Sequence, residues 1–260
     1  MARRGLKRAQ EAVRVLEEFA RAGQPEASEA LAQVRFELYA AEQWLDHGAG
    51  RAAILQGARL YVLLAEADCP LGLEATAQAV LEGGARIVQV REKALEGAAL
   101  LERVKRVKAL CAQHEALCVV NDRTDVALAA EADGVHLGQR DLEPRDARRL
   151  AGEGLVIGRS THSAAQARRA VDEEGADYVG IGALYPTGTK QAIELIGPAG
   201  ARAVAELDLK APVFAIGGIT VERIHEVRAA GLTRIAVSKA VCAARDPARA
   251  AKELLERLLN

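Results

Sequence analysis

The sequence predicts an α/β protein, a (β/α)8 TIM barrel preceded by an N-terminal helical hairpin. From Arg59 onward, short apolar runs alternate with amphipathic stretches. Eight such runs fit within about 200 residues, which is close to the usual span of one barrel. A helical stretch follows every run, including the last one at Pro247–Leu259. A doubly wound open sheet is the alternative, because a strand count does not show whether a sheet closes.

The runs are short and largely apolar, as expected of strands that are buried on both faces of a parallel sheet. They are Leu60–Leu64, Arg86–Val90, Leu117–Asn121, Asp133–Leu137, Leu155–Arg159, Asp177–Gly182, Pro212–Ile216 and Arg234–Ser238.

The first 50 residues show a helical pattern instead. Apolar residues recur at alternating intervals of three and four, which places them on one face of each of two helices. The first series is Leu6, Ala9, Val13, Leu16 and Ala20, and the second is Leu31, Val34, Leu38, Ala41 and Leu45. Gly23 and Pro25 separate the helices, and Gly48 and Gly50 are predicted to end the second one and begin a short linker.

Two domains are therefore expected, a helical hairpin extension over residues 1–50 and a barrel over residues 51–260. A hairpin of this size cannot bury both of its faces by itself. It is expected to dock on the barrel or to dimerise with a second copy, so a homo-oligomer is one expected outcome.

Composition excludes several classes of function. Lys and Arg number 35 against 36 Asp and Glu, which lacks the basic excess of a general nucleic-acid binder. Only 3% of the residues are aromatic, and no apolar stretch reaches the roughly 18 residues of a membrane span. The four cysteines are far apart, which favours reduced packing residues over disulfides or zinc ligands. We expect a cytoplasmic protein that binds neither nucleic acid nor membrane.

In a barrel of this class the active site lies at the carboxyl ends of the strands. The second run continues into Gln89, Arg91 and Lys93, which share one parity and therefore one face of the strand. Two cations on the order of 6–7 Å apart at that face suit a polyanion such as a diphosphate. The alternative to a diphosphate site is a solvated loop in which Arg91 pairs with Glu92.

Two carboxylates follow the next two strands. Asn121-Asp122 ends the third run, and Asp141 comes shortly after the fourth. Paired carboxylates beside a cationic pocket suit Mg²⁺, which takes its other ligands from water and substrate phosphates. In the alternative interpretation, Asp122 pairs with Arg123 or caps the next helix, and Asp141 caps the helix entered at Pro144.

Hydroxyl groups and a third cation follow the fifth and sixth strands. Ser160 either donates a hydrogen bond to a phosphate or caps the helix that begins near Ala164. The long turn after the sixth run offers Thr187, Thr189 and Lys190. These groups extend the predicted anion-binding surface across the mouth of the barrel.

The ends of the last two strands predict a second anion site. Gly217-Gly218 follows the seventh run, and Ser238-Lys239 follows the eighth. Barrel enzymes often bind a phosphate at this place through backbone N–H groups. The five histidines show no zinc-ligand spacing, and we interpret a lone histidine here as structural. Two phosphorylated substrates that meet in one barrel would explain both anion sites.

Over residues 59–257 the barrel resembles the thiamine phosphate synthase family. The resemblance rests on seven motifs in the order of that family, which together are far more specific than any one of them. They are Gln89–Lys93, Asn121-Asp122, Ala132–Gln139 with Asp141, Ile157–His162, Gly175–Gly182, Tyr185–Lys190 and Ala215–Ile219.

The resemblance implies a transferase of thiamine biosynthesis. Such an enzyme joins 4-amino-5-hydroxymethyl-2-methylpyrimidine diphosphate to 4-methyl-5-(2-phosphoethyl)thiazole, with Mg²⁺ as cofactor, and releases pyrophosphate by a dissociative mechanism. It implies pyrimidine diphosphate contacts from Gln89, Arg91, Lys93, Asn121, Ser160 and Lys190, of which Arg91, Lys93, Ser160 and Lys190 assist catalysis. It implies Mg²⁺ ligands at Asp122 and Asp141, and thiazole phosphate contacts from Thr187, Thr189, Gly218, Ser238 and Lys239.

The hairpin resembles a helical domain that is fused to this synthase in some bacteria, through Ala9–Arg21 and Val34–Leu38. It is short for that domain, so we expect docking or dimerisation rather than kinase activity. Two other functions remain open for the barrel. One is a thiazole tautomerase of the same fold, and the other is a non-catalytic thiamine phosphate sensor or scaffold.

Overall fold

A computed structural model of the protein describes residues 2–186 and 195–260. The chain divides into two compact units, Met1–Gly50 and Arg51–Asn260. Among the helices in the described residues, none combines the length and the apolar character that a membrane span requires.

The larger unit is a closed barrel of eight parallel strands in sequential order, which confirms the (β/α)8 prediction. The first and last strands pair with each other in the register Leu60↔Ile235, so the open-sheet alternative is wrong. The strands are β1 Leu60–Leu64, β2 Ile87–Val90, β3 Leu117–Asn121, β4 Gly134–Leu137, β5 Val156–Thr161, β6 Tyr178–Ile181, β7 Val213–Ile216 and β8 Ile235–Val237.

Two helices precede β1, and the other helices follow the strands and form the outer layer of the barrel. They are α1 Ala2–Arg21, α2 Pro25–Gly57, α3 Leu73–Glu82, α4 Gly97–Gln113, α5 Thr124–Ala129, α6 Pro144–Ala151, α7 Ala164–Asp172, α8 Gly197–Ala205, α9 Ile224–Ala229, α10 Lys239–Cys242 and α11 Pro247–Leu259. Short 3₁₀ turns lie at Glu66–Asp68, Gly152–Gly154 and Val221–Arg223.

The N-terminal unit packs its two helices through polar groups. Gln10 is buried and donates hydrogen bonds to the carbonyl of Leu38 and the carboxylate of Glu42. Glu17 is buried as well and pairs with Arg35, with 2.8 Å between carboxylate and guanidinium. Leu16 is 55% exposed, although the apolar periodicity predicted it in the buried face. On α1, Glu17 is therefore buried in place of Leu16.

The second helix is longer than the sequence predicted. Gly48 and Gly50 were expected to end it, but α2 continues through both to Gly57. A glycine inside a helix costs only about 0.5–1 kcal/mol relative to alanine, which the burial of the following turn can offset. Leu55 and Ala58 supply that burial, because both belong to the apolar cluster inside the barrel.

The final turns of α2 cover the amino-terminal end of the barrel. Arg51 donates a hydrogen bond of 3.0 Å to Asp133, which lies immediately before β4. Arg234, immediately before β8, donates a hydrogen bond of 3.0 Å to the carbonyl of Gln56. A binding site inside the barrel must therefore open at the opposite, carboxyl-terminal end.

The barrel interior is filled by every second residue of each strand. Toward the amino-terminal end these residues are apolar and form one cluster with Leu55 and Ala58. Its strand members are Tyr61, Ile87, Leu117, Val119, Val156, Tyr178, Phe214 and Ala236. Toward the carboxyl ends, the same parity brings Gln89, His136 and Ser160 inward, which places polar groups above an apolar floor.

The continuous helix through Gly50 can be tested with a pair of glycine substitutions. Gly50→Ala should raise the unfolding free energy by about 0.5–1 kcal/mol, because alanine is the better helix former. Gly72→Ala is the matched control, since a Cβ meets open space at both sites but Gly72 has a φ of +84°. The control should be destabilised. Thermal unfolding followed by circular dichroism measures the stability of both variants. Equal destabilisation of the two would contradict a helix that continues through Gly50.

Candidate active site

A cavity of about 400 Å³ opens at the carboxyl ends of the strands. Six of the residues predicted to bind substrate line it, namely Gln89, Arg91, Ser160, Gly218, Ser238 and Lys239. Leu63, Phe214, Ile216 and Ala236 give the cavity an apolar wall. A cavity with this mixture suits a flat ring whose anionic groups reach the polar rim.

Gln89 occupies the inward side of β2 and is only 1% exposed. Its amide nitrogen donates a hydrogen bond to the hydroxyl of Tyr61. Its amide oxygen is buried and has no hydrogen-bond partner among the described residues. A buried acceptor without a partner is unfavourable by about 1–3 kcal/mol, so a donor on a bound ligand would relieve it.

Ser160 lies on the inward side of β5 and is held by His136. The serine hydroxyl is 2.9 Å from Nε2 of the histidine, and Nδ1 of the same ring is 3.1 Å from the hydroxyl of Tyr178. The alternative in which Ser160 caps the next helix is wrong. Ser163 is the N-cap of α7 and accepts a hydrogen bond from the backbone of Gln166.

Asp122 and Asp141 lie side by side after β3 and β4. Burial, reinforced by the Asp141 carboxylate, raises the pKa of Asp122 to about 6, while Lys93 and Asn121 act in the opposite direction. Asp122 also has a φ of +63°, a left-handed conformation that few non-glycine residues adopt and that aspartate tolerates better than most. A backbone hydrogen bond of 2.9 Å to the carbonyl of His136 supports it.

The structural alternatives for these two carboxylates are wrong. Arg123 pairs with Asp125 at 2.6 Å rather than with Asp122, and Arg123 itself is the N-cap of α5. Asp141 does not cap α6, whose N-cap is Glu143. Instead, the Asp141 carboxylate accepts a hydrogen bond of 2.8 Å from the backbone N–H of Gly138.

The turn that carries Asp141 is held from below by Arg159. The guanidinium donates to the carbonyl of Gly138 at 2.7 Å and to that of Leu142 at 3.0 Å, so both ends of the turn are held. Arg159 is 4% exposed and pairs with Glu174, which is 7% exposed. This buried pair therefore determines where the Asp141 carboxylate can lie.

The two carboxylates are more favourable with a divalent cation between them than in contact without one. Two half-buried carboxylates in contact, as these are, repel when both are ionised, and a cation between them removes that repulsion. The described residues hold no group of three or more His, Cys, Asp or Glu side chains that could bind a metal. An ion at Asp122 and Asp141 would therefore need further ligands from water and from substrate phosphates, as Mg²⁺ commonly does.

The turn after β7 lets the backbone approach a ligand closely. Gly217 and Gly218 have φ values of +100° and +64°, which residues other than glycine rarely adopt. A Cβ on Gly217 would lie 2.6 Å from the Cβ of Ala183, and one on Gly218 would lie 2.6 Å from the carbonyl of Pro186. Arg223 donates a hydrogen bond of 2.6 Å to the Gly218 carbonyl, so the turn is held in place.

Ser238 and Lys239, which follow β8, share one acidic partner. The Ser238 hydroxyl donates to the carboxylate of Asp68 at 3.2 Å, and the Lys239 ammonium lies 3.5 Å from the same carboxylate. Lys239 remains 56% exposed, so its ammonium can reach a ligand at the cavity mouth. Thr187, Thr189 and Lys190, also predicted in this site, lie outside the described residues.

Comparison with known proteins agrees with this geometry. The sequence model of the family described as thiamine monophosphate synthase matches residues 60–241, which include all eight strands. The chain belongs to the thiamine monophosphate synthase family. A thiamine-phosphate synthase of Thermosynechococcus vestitus is 42% identical over 96% of this chain and 71% of that relative. One of Synechococcus sp. (strain WH7803) is 43% identical over 96% and 72%, respectively.

Solved structures give the same assignment. Thiamine phosphate pyrophosphorylase from Pyrococcus furiosus matches with a TM-score of 0.71 and 36% identity, covering 80% of this chain and 97% of that one. The 3-hexulose-6-phosphate synthase of Salmonella typhimurium, at 20% identity and a TM-score of 0.58, shares the fold alone. The N-terminal residues 1–44 match the ThiD2 family instead. The resemblance that the barrel motifs indicated is thereby confirmed.

Several residues lining the cavity of this synthase-family barrel were missed from the sequence. Tyr61, His136 and His162 line it, and Tyr178 lies beneath it against His136. His136 was interpreted as structural, whereas it contacts Ser160 directly. Strand parity was the available signal, because Tyr61, His136 and Tyr178 all face inward as Gln89 and Ser160 do.

The Arg159–Glu174 pair should be essential for stability. Arg159→Leu is expected to lower the free energy of unfolding by about 3 kcal/mol, because it removes one partner of a buried ion pair. The loss stays at the lower end of the usual range because Arg169 still pairs with Glu174 at 2.9 Å. Urea unfolding measures the change. Arg123→Leu breaks the exposed pair with Asp125 and should lower the free energy of unfolding by less than about 1 kcal/mol. Equal losses in the two variants would contradict the stabilising role of the Arg159–Glu174 pair.

Proposed function

We propose that the chain joins 4-amino-5-hydroxymethyl-2-methylpyrimidine diphosphate to 4-methyl-5-(2-phosphoethyl)thiazole, in a reaction that depends on Mg²⁺ and releases pyrophosphate. One observation carries the proposal beyond family membership. Arg91 at the end of β2 and the Gly217-Gly218 turn after β7 line the same cavity, which gives one cavity two anion-binding ends. Two phosphorylated substrates that react with each other need this arrangement.

The pyrimidine diphosphate takes the end formed by β2 to β6. The buried amide oxygen of Gln89, which has no partner within residues 2–186 and 195–260, accepts a hydrogen bond from the ring amino group. Arg91, Lys93 and Lys190 bind the diphosphate oxygens as cations. Asn121 and Ser160 contribute further hydrogen bonds from neighbouring strands.

Asp122 and Asp141 would hold Mg²⁺ together with oxygens of the diphosphate. Bound there, the ion supplies positive charge that stabilises the pyrophosphate as a leaving group. The left-handed backbone at Asp122 and the Gly138 hydrogen bond to Asp141 orient the two carboxylates before any ligand arrives. This preorganisation is what electrostatic catalysis requires.

The thiazole phosphate takes the opposite end. Backbone N–H groups at Gly218, Ser238 and Lys239 bind its oxygens, and the hydroxyls of Thr187 and Thr189 complete the site. The glycine turn permits this close approach because a side chain there would collide with Ala183 or Pro186.

The chemistry then needs positioning and charge rather than a protein nucleophile. The bond between the pyrimidine methylene carbon and the diphosphate oxygen breaks, and its electron pair leaves with pyrophosphate. The lone pair of the thiazole nitrogen forms the new carbon–nitrogen bond. Arg91, Lys93 and Lys190 stabilise the charge that grows on the leaving group, and Ser160 donates to one of its oxygens.

A coupling assay tests the proposal directly. Both substrates are incubated with the full chain, with and without Mg²⁺, and thiamine phosphate and pyrophosphate are measured. We expect both products in equal amounts, and only when Mg²⁺ is present. A folded protein that binds the thiazole phosphate but forms no product would favour the tautomerase. Tight binding of thiamine phosphate without turnover would favour the sensor.

The metal ligands are tested by Asp122→Asn, which keeps a side chain that tolerates a positive φ. We expect turnover to fall by at least about 100-fold, because the variant loses a charged ligand for the cation. Asp125→Asn is the matched control. It removes an exposed carboxylate that pairs with Arg123, and its turnover should stay within about threefold of the parent. Equal activity of the two variants would show that Asp122 is not a metal ligand.

A further inference from the structure

A chain of hydrogen bonds crosses the barrel interior from Gln89 on β2 to Ser160 on β5. The amide nitrogen of Gln89 donates to the hydroxyl of Tyr61, which lies 3.0 Å from the hydroxyl of Tyr178. The Tyr178 hydroxyl lies 3.1 Å from Nδ1 of His136, and Nε2 of His136 lies 2.9 Å from the Ser160 hydroxyl. Both ends of the chain are residues that line the cavity.

The direction of these hydrogen bonds follows from proton counting. An amide nitrogen can only donate, so Tyr61 accepts from Gln89 and its own proton is directed to Tyr178. Tyr178 then donates to Nδ1 of His136, which leaves the ring proton of the histidine on Nε2. That proton is donated to the Ser160 oxygen. In this direction the protons of both tyrosine hydroxyls and the ring proton of His136 are donated within the chain, and the hydroxyl proton of Ser160 remains for a ligand.

We infer that Tyr61, Tyr178 and His136 are positioning residues, which make Gln89 a hydrogen-bond acceptor and Ser160 a hydrogen-bond donor toward the ligand. The inference rests on the proposed function and adds a basis for its specificity. Because the amide of Gln89 cannot rotate without breaking its bond to Tyr61, its oxygen selects a pyrimidine that carries an amino group. A pyrimidine with a carbonyl at the same ring position would place two acceptors against each other.

Packing holds the hydrogen-bonded chain rigid. The rings of Tyr61 and Tyr178 meet edge to face at 5.8 Å, and Phe214 packs against both, at 5.6 and 5.7 Å. Gly158, opposite Tyr178 in the β5–β6 register, leaves the space that the Tyr178 ring fills, since a Cβ there would collide with it. Burial raises the pKa of both phenols, so each hydroxyl keeps the proton that the chain requires.

The experiment measures dissociation constants for two probes on the full chain, with Mg²⁺ and without the thiazole substrate. One probe is the aminopyrimidine diphosphate, and the other is its analogue with a carbonyl in place of the ring amino group. Titration calorimetry compares the wild type with Tyr61→Phe. Tyr39→Phe is the matched control, because it removes a hydroxyl from the N-terminal unit. An unfolded fraction lowers the number of binding sites without changing the dissociation constant. The ratio of the dissociation constants of the two probes is therefore insensitive to lost stability.

We expect the wild type and Tyr39→Phe to bind the amino probe at least about tenfold more tightly than the carbonyl probe. In Tyr61→Phe the dissociation constants of the two probes should differ by less than about threefold. An unchanged ratio in Tyr61→Phe would overturn the inference, as would a wild type that prefers the carbonyl probe. If the coupling assay yields product while the ratio stays unchanged, only this inference fails. If the wild type binds neither probe, the proposed function fails as well.

The other end of the chain is tested by Tyr178→Phe. This variant should lower kcat at least about tenfold in the wild-type background and leave the KM for the thiazole substrate unchanged. In the Ser160→Ala background it should cause no further loss, because Tyr178 acts through Ser160. Additive losses in the double variant would show that Tyr178 acts elsewhere and would overturn its assigned role.

Discussion

Closure of the parallel barrel is the constraint on which the site depends. Once β1 pairs with β8, every second residue of each strand must face the interior, whatever its polarity. Near the amino-terminal end that interior is apolar, and the end of α2 covers it with Leu55 and Ala58. Near the carboxyl ends Gln89, His136 and Ser160 face inward beside apolar residues, so their polar groups must bond either to each other or to a ligand. The hydrogen-bonded chain shows the first outcome, and the amide oxygen of Gln89, without a partner in the described part of the protein, is left for the second.

The site residues are held in two different ways. Gln89 and Ser160 stand on strands and are fixed by hydrogen bonds across the barrel, so their positions follow from the core itself. Asp122 and Asp141 stand on turns and are fixed by backbone N–H groups and, for Asp141, by Arg159 beneath the turn. Recognition of a ring group needs the stricter geometry of the strands. If Asp122 and Asp141 hold an ion as proposed, the looser geometry of turns suffices, because such an ion also takes ligands from water and phosphate oxygens.

Most of the barrel could be predicted from the sequence, because buried parallel strands appear as short apolar runs. Each predicted run agrees with a strand to within two residues at either end. The length of α2 could not be predicted, because the burial of Leu55 that offsets the glycines is a tertiary effect. The roles of Tyr61 and Tyr178 were hidden for a similar reason. Parity tells which residues face inward, but the stagger of the strands decides which of them meet across the barrel.

The two proposed anion-binding ends differ in charge, and the proposed chemistry accounts for the difference. Lys239 already lies beside Asp68, so its charge is partly neutralised before a ligand arrives, and the proposed donors at that end are mainly backbone N–H groups. The phosphate on the thiazole does not change its charge during the reaction, so strong cations there would stabilise ground state and transition state equally. The diphosphate gains charge as its bond to carbon breaks. In the proposed mechanism the cations of Arg91 and Lys93 therefore act where the transition state differs most from the bound substrate.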